Sequence, residues 1–128
     1  MTRRPTGFTP DVVELVTMRS GCHCEVMATG CTLLVEQMHH RRPRGMGGSR
    51  RPDTNTAANA LAVCRRCHNR IESMRTWARG NGFVLPQHAD PAAEPVWWRC
   101  GIDGARAKLW VLLSDNGDRI PVESRRPA

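Results

Sequence analysis

Lysine is almost missing from this chain of 128 residues: eighteen of its nineteen basic side chains are arginine, and Lys108 is the one exception. Missing too is any run near the roughly 20 consecutive apolar residues of a membrane span, so no spanning helix is expected. The first ten residues, MTRRPTGFTP, carry charge but no apolar stretch. A secretory signal is therefore not expected there, and a reducing cytoplasm is the expected compartment. Excess charge is missing from one region only. Residues 1 to 86 hold 13 basic and 6 acidic side chains, whereas residues 87 to 128 hold six of each, so the whole +7 surplus falls in the first two thirds. An arginine-rich genome explains the scarcity of lysine. Clustering of arginine, whose planar fork grips phosphate with two parallel hydrogen bonds, points to a polyanionic partner.

The length suits one compact domain with an appendage. Residues 1–9 read as a disordered basic arm. Thr9, Pro10 and Asp11 are an N-cap, a first-turn proline and a first-turn acid, so a short helix is expected from residue 10. TLLVEQMHH (32–40) has the composition of a strand, and residues 41–55, rich in arginine, glycine and proline, read as loop. NTAANALAVC is given one helical turn. Residues 65–82 predict one amphipathic helix with Cys67, Ile71, Met74, Trp77 and Ala78 on its apolar side. PQHADPAAEP reads as a linker. After it, VWWRC, AKLWVLL and RIPVE predict a three-stranded antiparallel meander, with a tight turn at Asn116-Gly117. The expected organisation is a first domain over residues 10–86, then a linker and meander over 87–128.

Six cysteines without a secretory signal suggest metal before disulfides. Cys64-x2-Cys67 offers two thiolates from one turn, and a tetrahedral structural zinc needs two more. Cys24-x6-Cys31 can fold back as a wide loop, whereas Cys22-x-Cys24 is a tight bite. The expected zinc ligands are Cys24, Cys31, Cys64 and Cys67, with Cys22 in reserve and Cys100 a buried free thiol. Such an ion would bring His39, His40 and His68 into one neighbourhood.

His40-x18-Asn59-x8-His68, within MHHRRPRGMGGS and NALAVCRRCHNRI, resembles the HNH endonuclease family in its cysteine-bearing branch, over roughly residues 15 to 80. The resemblance implies an α+β fold in which a ββα-metal core, stabilised by a four-cysteine zinc site, precedes the C-terminal meander. It implies that His40 is the general base, that His39 and His68 hold a catalytic divalent ion, Mg²⁺ or Mn²⁺, and that Asn59 ties down the intervening loop and helps to orient the base. The imidazole of His40, with an ordinary pKa of ~6.5, can take a proton from water at neutral pH. Neighbours in a regular strand point to opposite faces, so His39 and His40 can serve one site only where the strand ends or distorts.

The chain departs from the family pattern twice. Met27 stands where many relatives have the second knuckle cysteine, so Cys31 must substitute. Glu72 stands where some have another histidine; it could coordinate, directly or through water, although such a residue is more often a solvated helix carboxylate. Arg41, Arg42, Arg44, Arg50 and Arg51 are expected to hold DNA phosphates, with Arg65 and Arg66, and beyond them Arg70, Arg75 and Arg79, extending the basic surface along the helix. The function implied is metal-dependent cleavage of DNA. Small proteins of this kind in bacteriophages assist the terminase in packaging, which would add the terminase large subunit or portal as partner and the host cytoplasm as location. The competing reading is a zinc-ribbon-like DNA-binding module without catalysis, which leaves His39, His40, Asn59 and His68 unexplained as a set.

Overall fold

The structure, a computed structural model, describes residues 7–45, 51–99 and 109–123. Helix α1 (Pro10–Arg19) begins as its sequence requires: Thr9 is extended, and its side chain accepts a hydrogen bond from the Val12 N–H at 3.3 Å. Strand β1 (Gln37–His40) pairs antiparallel with β2 (Ala60–Val63), Gln37 opposite Val63 and His40 opposite Ala60. Two helices follow, α2 (Arg65–Ser73) and α3 (Arg75–Gly80). Strands β3 (Val96–Trp98), β4 (Leu109–Leu113) and β5 (Arg119–Val122) then form the expected antiparallel meander, in the order β3-β4-β5. Its second turn carries Gly117 at φ 86°, and Ser114 N–H closes the hairpin on Asp118 O at 3.1 Å. Among the described residues no helix is long and apolar enough to cross a membrane.

The expected strand over 32–40 is cut to its last four residues. Leu33 has φ 70°, and its N–H turns to the Sγ of Cys31 at 3.3 Å, so the backbone curls around the sulfur before it can extend. The helical turn expected before Cys64 is a 3-10 turn at Ala57–Asn59, and β2, which no pattern in these residues had placed, follows it. All four β2 residues are buried: Ala60 and Ala62 pack with Val16 of α1, and Leu61 and Val63 enter the main core. A strand apolar on both faces lacks the alternation that marks a strand in sequence. The single helix expected over 65–82 breaks at Met74 (φ −118°, ψ 66°), which is 45% exposed rather than buried. Beyond the break Trp77 meets Phe83 edge-on at 5.3 Å, with the Arg70 guanidinium 5.9 Å from its ring.

The main core joins the meander to the residues before it. Val96, Trp98, Val111 and Leu113 of the meander share a cluster with Cys24, Cys64, Ile71 and Phe83. On the opposite face of the meander, Trp97 tilts against Trp110 at 5.1 Å. Residues 87–95 do not run free as a linker. They are strapped down by two arginines that had been assigned to DNA. Arg41 is fully buried, and its guanidinium donates to the carbonyls of Gly82, Ala58, Pro91 and Glu94 at 2.7–3.0 Å. Arg42, 1% exposed, donates to both Asp53 carboxylate oxygens and to Ala89 O at 2.9 Å. Neither can reach a phosphate. The chain passes so close at Gly82 (φ 77°) that a Cβ there would lie 2.2 Å from Pro95 O, which only glycine avoids.

A third buried arginine was not expected. Arg19, at the end of α1, forms a two-pronged pair with Glu25 at 2.8 and 2.9 Å, and both side chains are fully buried. Arg19 also donates to Ala57 O and Ala60 O, while Glu25 accepts the Ala62 N–H at 2.8 Å. The pair thus joins α1, the cysteine loop and β2. Replacing Glu25 by Gln keeps the shape but strands the Arg19 charge, at a cost of roughly 3–5 kcal/mol. The urea midpoint should fall accordingly, and an unchanged midpoint would show that the pair contributes nothing.

Candidate metal centres

The sulfur atoms of Cys24, Cys31, Cys64 and Cys67 all lie within 4.8 Å of one another. Zinc–sulfur bonds of ~2.3 Å in a tetrahedron imply edges of about 3.8 Å, and the sulfurs of Cys31 and Cys64 stand 3.8 Å apart. These are the four cysteines expected from sequence. The reserve, Cys22, is exposed and outside the cluster, and Cys100 lies outside the described residues. Met27 adopts the left-handed turn of the first loop (φ 47°) and packs its side chain on the core.

Backbone amides aim at the sulfurs, with Cys67 N–H 3.3 Å from the Sγ of Cys64. The thiol of Cys24 is held down to about 5, first by its hydrogen bond from Cys67 and, against burial, by the amides of Met27, Cys64 and Val26. Cys67, the donor in that pair, is driven up, and burial pushes Cys31 up to about 12. Against burial, the amides of Cys67 and Thr32 lower Cys64 too, so negative charge gathers on Cys24 and Cys64 and opposes the loss of protons from Cys31 and Cys67. A cation at the centre removes that opposition, so the cluster could bind a metal such as zinc.

A second set of donors gathers where β1 meets α2. One ligand atom from each of His39, His68 and Glu72 lies within 4.8 Å of the other two. His39 is buried, and its Nε2 lies 2.6 Å from Phe83 O. A carbonyl only accepts, so Nε2 carries the hydrogen and Nδ1 the lone pair. His68 Nδ1 lies 2.6 Å from the Gln37 side-chain oxygen, which leaves the lone pair on Nε2, 3.6 Å from Glu72. Tethering the far N–H of each histidine to an oxygen is how metal-binding imidazoles are fixed in tautomer and direction. Glu72, whose type at that spacing is more often a solvated carboxylate, completes the trio from one turn beyond His68.

Compared with protein families, curated proteins and solved structures, this chain matches none. The chemistry of the cleft therefore stands on its own residues.

His39 and His40 do line one cleft, together with Met38, Pro43, His68, Glu72 and Arg75. His40 lies at the very end of β1, where its ring stacks on Phe8 at 4.1 Å and its Nε2 donates to the Asn55 side-chain oxygen at 2.8 Å. Its lone pair is therefore on Nδ1. Burial lowers its pKa, reinforced by Arg44 and opposed by the Asn55 hydrogen bond, so the ring is neutral at pH 7. Asn59 ties the loop as expected. It accepts the Arg42 N–H at 2.7 Å and donates to Arg42 O and Thr54 O at 3.2 and 2.8 Å. The direct partner of His40 is Asn55, not Asn59. Gln37, Asn55 and Phe8 had carried no signal of their own, and Asn55 in DTNTAAN reads as an ordinary turn residue. Phe8 also packs what was expected to be a free arm, of which residues 1–6 lie outside the described residues.

The remaining arginines divide. Arg65 and Arg66 are exposed, and Arg44 is half-buried. Arg51 is exposed but donates to Gln87 O and lies 3.8 Å from Asp53. Arg50 lies outside the described residues. Arg66 and Arg70 border a groove with Thr29, Asn69, Ser73 and Met74.

Burial holds His39 down to about 3. Between that value and the ordinary ~6.5, the unfolded chain takes up a proton that the folded chain refuses. The stabilisation is complete above pH 6.5 and is lost as pH falls toward 3, at up to ~1.4 kcal/mol per pH unit. Without added divalent ions, His39→Asn should flatten the stability–pH slope between pH 6.5 and 5 relative to wild type. Parallel slopes would mean that His39 titrates normally.

Proposed function

We propose that this chain is a metal-dependent DNA endonuclease of the HNH type. The observation that carries the reading is the cleft: ligand atoms of two tethered imidazoles and of the Glu72 carboxylate lie within 4.8 Å of one another, beside a third, neutral imidazole held by Asn55. The order β1, β2, α2 around it is compatible with the one that a ββα-metal core would need. A hard divalent ion such as Mg²⁺ or Mn²⁺, held by His39, His68 and Glu72, would supply Lewis-acid stabilisation to the scissile phosphate and the departing 3′ oxygen. His40 would draw a proton from water through Nδ1, while Asn55 fixes its tautomer and supports the positive ring. Phe8 covers one face of that ring and keeps it from rotating. Zinc on the four cysteines would hold the first loop against the start of α2, which carries His68. The exposed Arg65 and Arg66 and the half-buried Arg44 would meet phosphates, giving salt-sensitive affinity with little base preference. The packaging role, with terminase large subunit or portal as partner and host cytoplasm as location, rests on the family resemblance.

The test is supercoiled plasmid with Mg²⁺ or Mn²⁺. Wild type should nick or linearise it and chelator should stop the reaction. His40→Ala should lower the rate about 10²–10⁴-fold without unfolding the protein. Undiminished cutting by that variant would remove His40 as the base. Binding without cutting under any divalent ion would favour the zinc-ribbon-like module.

A further inference from the structure

We propose that Arg75 grips the non-bridging oxygens of the scissile phosphate, and that Glu72 holds it in position to do so. The inference rests on the nuclease reading and adds a catalytic residue to it. Of the seven residues lining the cleft, Arg75 is the one whose positive charge does not depend on pH. It opens α3, directly after the break at Met74. Its Nη1 lies 3.6 Å from Oε2 of Glu72, while Oε1 of the same carboxylate lies 3.6 Å from His68 Nε2. The two oxygens thus divide: one faces the metal donors and the other faces the guanidinium. A carboxylate shared in this way would set Arg75 beside an ion held there without making it a ligand.

The pair with Glu72 is long, and the side chains are 36% and 58% exposed. Such pairs are weak, so the guanidinium is held in place but remains available to an incoming anion.

The reaction gives that charge a task. Water oxygen bonds to phosphorus as its proton passes to His40. The P–O3′ bond then breaks, and the 3′ oxygen leaves with the bonding pair and takes a proton from solvent. Negative charge builds on the non-bridging oxygens between these events. A guanidinium fork fixed beside them interacts more strongly with that state than with the resting diester.

The experiment compares wild type with Arg75→Ala, Arg75→Gln and Arg75→Lys in two assays. The first is cleavage of a labelled duplex with Mn²⁺. The second is binding of the same duplex without added divalent ion, as a function of salt. Arg75→Ala should lower kcat about 10²–10³-fold with little change in KM, and should reduce the salt slope of metal-free binding by about one. Lysine should restore the slope but only part of kcat, since a point charge replaces a fork. Free guanidinium ion should partly rescue Arg75→Ala but not His40→Ala. Should Arg75→Ala lose its fold, the longer Gln side chain carries the same comparison. Cleavage at the wild-type rate by folded Arg75→Ala or Arg75→Gln overturns the role of Arg75 alone. A wild type inactive with every divalent ion overturns the nuclease reading and this inference together.

Discussion

Replacing Cys64 and Cys67 together by serine is expected to leave the chain unfolded, with its far-UV circular dichroism collapsed and its bound zinc lost. Cys24, Cys64 and Cys67 are part of the main core rather than an ornament on it. Around them the first loop holds Met27 and Leu33 in left-handed conformations, which cost energy and persist only when the surroundings enforce them. Structural zinc supplies an apparent ~10–16 kcal/mol in small zinc-binding peptides, against a total stability of roughly 5–15 kcal/mol for an ordinary domain. With zinc on the four sulfurs, removing two of them would therefore exceed what the rest of the fold can offset. Metal analysis of the wild type should return about one tightly held ion per chain, and a strong chelator should reproduce the unfolding. A wild-type protein that is metal-free yet folded would refute the zinc assignment and leave the cysteines as core thiols.

Arg41→Met should lower stability by roughly 3–5 kcal/mol and leave metal-free DNA affinity unchanged once the remaining folded fraction is taken into account. The position sits in the most basic stretch of the chain, so a phosphate-binding role would give the opposite pattern: normal stability and weaker binding. The structure favours the first outcome, because the guanidinium is sealed under residues 82–95 and donates to carbonyls from Ala58, Gly82, Pro91 and Glu94. Methionine fills much of the space but donates nothing, which leaves several buried acceptors without their partner. Urea denaturation followed by tryptophan fluorescence gives the stability, since Trp98 packs in the core that these residues cover. Fluorescence anisotropy with a labelled duplex gives the affinity.

The two arginines show where sequence reading stops. Residue type and spacing are enough to select four cysteines from six, because metal ligation demands particular atoms at particular separations, and those four sulfurs do converge. The meander is legible for a similar reason: alternating apolar residues and Asn116-Gly117 encode a local geometry. Burial of a charge has no such local signature. Arg41 and Arg42 look like Arg44, and only the path of residues 82–95, forty positions later, decides that the first two are inside. The Arg19–Glu25 pair was hidden in the same way. β2 escaped because alanine on one face and Leu61 and Val63 on the other remove the polar half of the pattern. Within the cleft, His39, His40 and His68 were legible as a set. Gln37 and Asn55, the side chains that choose their tautomers, were not, since an amide that orients an imidazole looks like any other amide until the two are brought together.

The neck of the loop between β1 and the 3-10 turn is fastened twice. Asn59 holds the backbone of Arg42 by both its N–H and its carbonyl, and the Arg42 side chain clasps Asp53. The segment between these ties, residues 43 to 52, is ten residues long, and its first residue, Pro43, lines the cleft. Lengthening a loop with fixed ends costs little, about 0.6 kcal/mol for each doubling. Its middle, residues 46 to 50, should therefore tolerate exchange. Graft in another sequence, even a longer one, and the histidines behind these ties should keep their positions while the surface offered to a partner changes.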